Sequence, residues 1–167
     1  MKVVAQFEKV SFEQFEKDYK GLLDVKTVYD EIVLPKRATK GSAGYDFFAN
    51  EDIKLSSGET CLVPTGVRVK IEDGWFLSIF PRSGLGFKYR LQLDNTVGII
   101  DSDYYESSNE GHIFIKITCD AKTQKTIEIK KGEGIAQGIF LPFGLAAETE
   151  VTAKRDGGFG STTKKQL

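Results

Sequence analysis

Between Val67 and Ile71 the chain alternates without interruption, with Val67, Val69 and Ile71 apolar and Arg68 and Lys70 charged. A period of two predicts a strand with one face in the core. Asp73-Gly74 follows as a turn signal, and WFLSIF, residues 75–80, returns as a second strand. The alternation recurs at Ile113, Ile115 and Ile117, and again at Ile127 and Ile129. Short strands separated by Gly, Asp and Asn turns predict an all-β sandwich or barrel. After residue 21 no helix longer than a turn or two is expected, and no internal repeat or low-complexity linker interrupts the pattern.

The first 24 residues follow another rhythm. Phe12, Phe15 and Tyr19 recur at helical spacing, and Ser11 with Gln14 fits a capping box. Gly21 is placed to stop the helix. One short amphipathic helix is therefore expected, packed on the body or on a neighbouring subunit. From about residue 25 the period of two takes over.

Composition narrows the function classes. In 167 residues, 40% hydrophobic and 28% charged describe one ordinary globular domain. With 23 basic against 24 acidic residues, no overall field draws nucleic acid or an acidic membrane, so any bound anion needs a local cluster. Cys61 and Cys119 lie in apolar runs without metal-ligand spacing and read as small core residues. The single histidine, His112, has no partner for a zinc site. The chain shows neither a membrane-spanning apolar run nor a signal-peptide core, and a cytoplasmic protein is expected.

Five stretches hold residues that strands do not require. GSAGYDFFA (41–49) carries Gly44 and Asp46. PRSGLGFK (81–88) sets Arg82, Ser83 and Gly84 at a strand end, and a guanidinium, a hydroxyl and glycine-flanked N–H groups suit phosphate oxygens. NTVGIIDSDYY (95–105) contains Asp101 and Asp103 around Ser102, either a polar turn or a water-activating carboxylate on a hairpin. KGEGIAQGIFLPF (131–143) holds Gln137 in an apolar run, where an amide needs a partner. RDGGFGSTTKK (155–165) reads alone as a tail, yet it joins Arg155, Phe159, Ser161 and Thr162 to glycines that permit close backbone approach.

In this order and spacing, AGYD, PRSGLG, GIIDSDY, KGEGIAQ and RDGGFGST resemble the five motifs of the trimeric dUTPase family, the deoxyuridine triphosphate nucleotidohydrolases. The likeness runs from about Val33 to Thr162. It implies a jelly-roll-like β fold, with an extension over 1–24, a β domain over 25–152 and a C-terminal arm over 153–167 that is flexible when empty and closes over nucleotide. It also implies a homotrimer with active sites between subunits, Mg²⁺ as cofactor, and hydrolysis of dUTP to dUMP and pyrophosphate.

By the same resemblance, Asp101 is the general base that activates water for attack on the α-phosphorus. Asn95 and the backbone from Gly98 to Ile100 read uracil, and Tyr104 packs under deoxyribose and excludes a 2′-hydroxyl. Ser83 and Gly84 contact phosphate, Arg82 organises charge, and Gln137 faces the phosphates. In the arm, Phe159 stacks on uracil while Arg155, Gly160, Ser161 and Thr162 close on the β- and γ-phosphates, Arg155 acting as an arginine finger. Asp46 reaches the metal through water.

The departures from the family pattern are Gly134 where an arginine usually precedes IAQ, the insert ESSNEGH (106–112), Thr163 in place of glycine, and the N-terminal helix. The insert and the helix are candidate surfaces for a regulatory protein partner. Two rivals follow: a non-catalytic or dual-role nucleotide sensor on this fold, and the related dCTP deaminase. The second lacks its glutamate here, since GHIFIKITCD offers Lys116 instead.

Overall fold

A computed structural model describes residues 2–147 of the chain. Strand β1 (Ala5–Lys9) leads into helices α1 (Phe12–Asp18) and α2 (Val25–Asp30). Next come β2 (Lys36–Arg37), β3 (Tyr45–Phe48), β4 (Ile53–Leu55), β5 (Thr60–Pro64), β6 (Val67–Ile71) and β7 (Trp75–Pro81). Helix α3 (Ser83–Tyr89) precedes β8 (Leu91–Leu93) and β9 (Gly98–Ile100). A 3₁₀ turn at Ser102–Glu106 then leads to β10 (Phe114–Cys119), β11 (Ile127–Ile129) and β12 (Gly134–Pro142).

Every pairing is antiparallel. The largest sheet has the order β2-β3-β12-β7-β9, and β5-β10-β8, β1-β6 and β11-β4 form smaller ones. This is the all-β, jelly-roll-like architecture expected, with no closed barrel. The alternation seen in the sequence is the burial pattern: Val67, Val69 and Ile71 are buried, as are Ile113, Ile115, Ile117, Ile127 and Ile129. Both cysteines are free; Cys119 is buried and Cys61 partly so, and burial pushes the Cys61 thiol above its ordinary range.

The N-terminal segment belongs to the same core. Val10, Phe15, Val28 and Ile32 join the cluster that includes Phe47, Leu77 and Ile117. Phe15 is fully buried, a burial that contributes about 1.5–3 kcal/mol.

Three local expectations are corrected. The period of two does not begin at residue 25: Val25–Asp30 is helical because the Asp24 carboxylate caps it, accepting from the Thr27 N–H at 2.8 Å, and Val28 is buried beneath it. The capping box is half made. Ser11 Oγ accepts from the Gln14 N–H at 3.1 Å, but the Gln14 side chain donates to Asp18. The Ser11 N–H instead donates to Glu110 Oε2 at 2.8 Å. Finally, α1 ends at Asp18 with Tyr19 extended, so Gly21 is not its stop; it leaves room for the Tyr19 hydroxyl, which a Cβ at 21 would strike.

Candidate active site

The turn from β8 to β9 forms one wall of a cavity of about 260 Å³; the two strands do not pair with each other, since β8 pairs with β10 and β9 with β7, so the hairpin expected from the sequence is instead a link between two sheets. Asn95, Gly98, Ile100 and Tyr104 line it, with Ile79 and Lys116 opposite. Gly98 pairs with Ile79, and any side chain at 98 would stand 3.2 Å from the Ile79 Cβ, so the glycine keeps this wall thin. This turn holds Thr96 at φ 67°, a left-handed conformation that a β-branched residue rarely adopts. Hydrogen bonds from the Thr96 N–H to Leu93 O and from the Val97 N–H to Asn95 O hold it there. Strain of this kind clusters at ligand sites.

Asp94 anchors the start of the turn after β8. Its carboxylate pairs with Lys116 Nζ at 2.7 Å and accepts from the Thr118 hydroxyl, and these bonds, Lys116 first, hold its carboxyl below the ordinary range. Lys116 is thus committed to Asp94 at the place where a deaminase would need a carboxylate.

Asp101 leaves the end of β9 half-buried and starts the 3₁₀ turn, its carbonyl accepting from the Tyr104 N–H at 3.2 Å. Tyr104 is 4% exposed, with its ring on the cavity. Its hydroxyl donates to His112 O at 2.8 Å and accepts from Asn109 Nδ2 at 2.8 Å. Both partners lie in the 106–112 insert, a support the sequence reading missed; only the proximity of the insert to Tyr104 hinted at it. Asn109→Ala removes that donor and the acceptor used by Ser107 and Gly111. The expected result is a rise of about fivefold in KM for the substrate of this cavity with kcat less affected, the effect of one lost hydrogen bond; steady-state kinetics checks it.

A second group sits where β3, β12 and β7 run side by side. Asp46 pairs in register with Gln137, which pairs with Phe80. Arg82 Nε lies 3.1 Å from Asp46 Oδ1, and Gln137 Nε2 donates to Pro81 O at 3.1 Å. Ser83 and Gly84 are exposed just beyond, where the sequence places a strand end and the structure continues into α3. Among the described residues no group of three or more His, Cys, Asp or Glu could hold a metal ion.

The two groups stand apart within one chain. Asp101 continues β9 past the Ile100–Leu77 pair, whereas Arg82 continues β7 past Pro81 in the opposite direction. Asp101 stands level with Phe76, six residue steps and roughly 20 Å along the strand from Arg82. Arg155, Phe159, Gly160, Ser161 and Thr162 lie outside the described residues.

The insert and the N-terminal helix face each other. Glu110 accepts from both the N–H and the hydroxyl of Ser11, and His112 Nδ1 lies 2.6 Å from Asp18 Oδ2. The inner sides of both additions are therefore occupied by one another. Among the described residues no helix is long and apolar enough to cross a membrane.

A cavity beside a strained turn and a guanidinium–carboxylate seam on the same sheet give the chain two groups suited to a small phosphorylated ligand. The family model described as dUTPase matches residues 30–163. Deoxyuridine 5'-triphosphate nucleotidohydrolases from Lactococcus lactis (strain IL1403) and Escherichia coli (strain K12 / DH10B) are 42% and 39% identical over 134 and 155 residues. These spans cover 78% and 86% of this chain, and 88% and 98% of the relatives. The crystal structure of the dUTPase from Streptococcus mutans superposes with a TM-score of 0.65 at 38% identity, covering 85% of this chain and 98% of that one. A variant dUTPase from phage phi11 of S. aureus, described with a structural Mg(II) ion, shares the fold at 22% identity and a TM-score of 0.63, over 90% and 98% of the two chains. The chain belongs to the dUTPase family, whose members are enzymes that hydrolyse deoxyuridine triphosphate.

Proposed function

We propose that this chain converts dUTP to dUMP and pyrophosphate, with Asp101 taking a proton from the water that attacks the α-phosphorus. The new bond joins water oxygen to the α-phosphorus, and the bond from that phosphorus to the bridging oxygen breaks, so that pyrophosphate departs. The observation that carries this reading is one turn and strand presenting Asn95, Gly98 and Ile100 to a cavity that Tyr104 also lines, with Asp101 next in the chain after Ile100. Uracil enters this pocket, where backbone groups at Gly98 and Ile100 and the Asn95 amide answer its edge. The Tyr104 ring, pinned through its hydroxyl, leaves no slack for a 2′-hydroxyl.

Arg82, Ser83, Gly84 and Gln137 take the phosphates. Their distance from Asp101 along β7 supports a site completed by a second copy of the chain, and hence the homotrimer implied by the motifs. Arg155, Phe159, Gly160, Ser161 and Thr162 close the site, with Phe159 over the base. Asp46 is the carboxylate that the described residues bring to the seam, and it already pairs with Arg82. That donor set fits Mg²⁺ held chiefly by substrate phosphates, with Asp46 reaching it through water. When bound, the ion neutralises phosphate charge. The protein's own share is alignment and a held base.

The test is a panel of dUTP, UTP, dTTP and dCTP with Mg²⁺. Pyrophosphate release from dUTP alone is expected. Ammonia release from dCTP would instead establish the deaminase. Binding of dUTP without turnover would establish the sensor.

A further inference from the structure

We propose that Gly134 is a positioning residue for Arg82: its missing side chain lets the guanidinium cross the sheet and reach Asp46. The inference rests on the reading of this seam as the phosphate side of the site. In the large sheet β12 lies between β7 and β3. Arg82 follows the last residue of β7, and Asp46 is on β3, so an ion pair between them must pass over β12. It passes at the start of that strand. Arg82 Nη1 reaches the Gly134 carbonyl at 3.4 Å while Nε lies 3.1 Å from Asp46 Oδ1. A Cβ built at 134 would stand 2.5 Å from Arg82 Nη1, 2.8 Å from Cδ and 2.9 Å from Cζ. The three nearest atoms all belong to one side chain.

Backbone conformation does not call for glycine at position 134. Its φ is outside the left-handed region, and it is buried in a strand, where glycine is normally unfavourable. A glycine within a strand marks a close approach or a bulge, and here it marks both. The register of β12 against β3 shifts between Gly134 and Ala136, and such shifts re-aim side chains. Arg82 retains 41% side-chain exposure, so the guanidinium held in this way still presents a face outward to an anion.

Gly134→Ala should therefore leave the fold intact and displace one side chain. A thermal midpoint equal to or above wild type is expected, since Ala suits a strand better than Gly. The Arg82 Nε–H resonance, assigned by its absence in Arg82→Ala, should sharpen when held by Asp46 and should broaden or move in Gly134→Ala as it does in Asp46→Asn. The kcat/KM for dUTP should fall about tenfold to a hundredfold, the scale of a misplaced positioning group. In an Arg82→Ala background the same change should alter kcat/KM by no more than about twofold, because coupled residues are non-additive. An unmoved Nε–H resonance overturns the proposal, as does a kinetic loss of equal size in both backgrounds. If the wild-type protein releases no pyrophosphate, the function proposed above fails on its own account, and the resonance still decides the role of Gly134.

Discussion

Replacing Asp101 by Asn will leave a folded protein that binds dUTP and hydrolyses it about 10²- to 10⁴-fold more slowly, the usual contribution of a positioned general base. The fold should survive because the 3₁₀ turn that follows makes no capping bond to the Asp101 side chain. What that turn takes from residue 101 is its carbonyl, which accepts from the Tyr104 N–H and is unchanged in Asn. The amide is nearly isosteric with the carboxylate but cannot accept a proton at neutral pH. The cavity wall made by Asn95, Gly98 and Ile100 is untouched, so affinity should remain within about threefold, well inside the scatter of a surface substitution. Calorimetric titration with dUTP reads the affinity, and pyrophosphate release reads the turnover. Wild-type turnover in this variant would remove Asp101 from the mechanism, whereas loss of both binding and turnover would assign it to the pocket.

What the sequence revealed depended on how local each signal was. Strands β6 and β10 were legible because one residue in two faces the core, and five or six residues suffice to show it. Helix α2 was not legible: six residues hold less than two turns, and what fixes it is the Asp24 cap. Helix α3 hides two glycines, poor helix formers, in its seven residues. The candidate site divides in the same way. Its residues stood out as interruptions of the strand pattern. Their grouping, with Asn95, Gly98, Ile100 and Tyr104 at one cavity and Asp46, Arg82 and Gln137 at one seam, is a matter of strand register. Register links residues far apart in the chain, and no local window contains it. The pairing of Ser11 with Glu110 is the clearest case: a helix cap and an insert, each readable alone, prove to be two halves of one contact.

His112→Leu will destabilise the protein by about 2–5 kcal/mol, the second large effect expected, and will flatten its stability below neutral pH. His112 is fully buried between α1 and β6. The Gly66 N–H donates to Nε2 at 2.8 Å, so Nε2 is unprotonated and the proton sits on Nδ1, donated to Asp18 at 2.6 Å. Leucine would fill the space between Phe15 and Phe114 but would leave the buried Gly66 N–H without its acceptor and take one of two donors from Asp18, which keeps Gln14. Burial lowers the His112 pKa, against the opposing pull of Asp18 and Glu110, and a second proton would set Nε2–H against the Gly66 N–H. The folded state therefore resists a proton that the unfolded chain accepts near pH 6.5. Stability is fully present above that value and is lost as pH falls through it towards the lower folded pKa, at up to about 1.4 kcal/mol per pH unit. Glu110 works in the same sense at lower pH, since the Ser11 hydroxyl and N–H outweigh its burial and hold its carboxyl below the ordinary range. Thermal midpoints measured between pH 7.5 and 5.5 test the assignment: wild type should decline and His112→Leu should start lower and stay level. A parallel decline in both would show that some other group carries the proton.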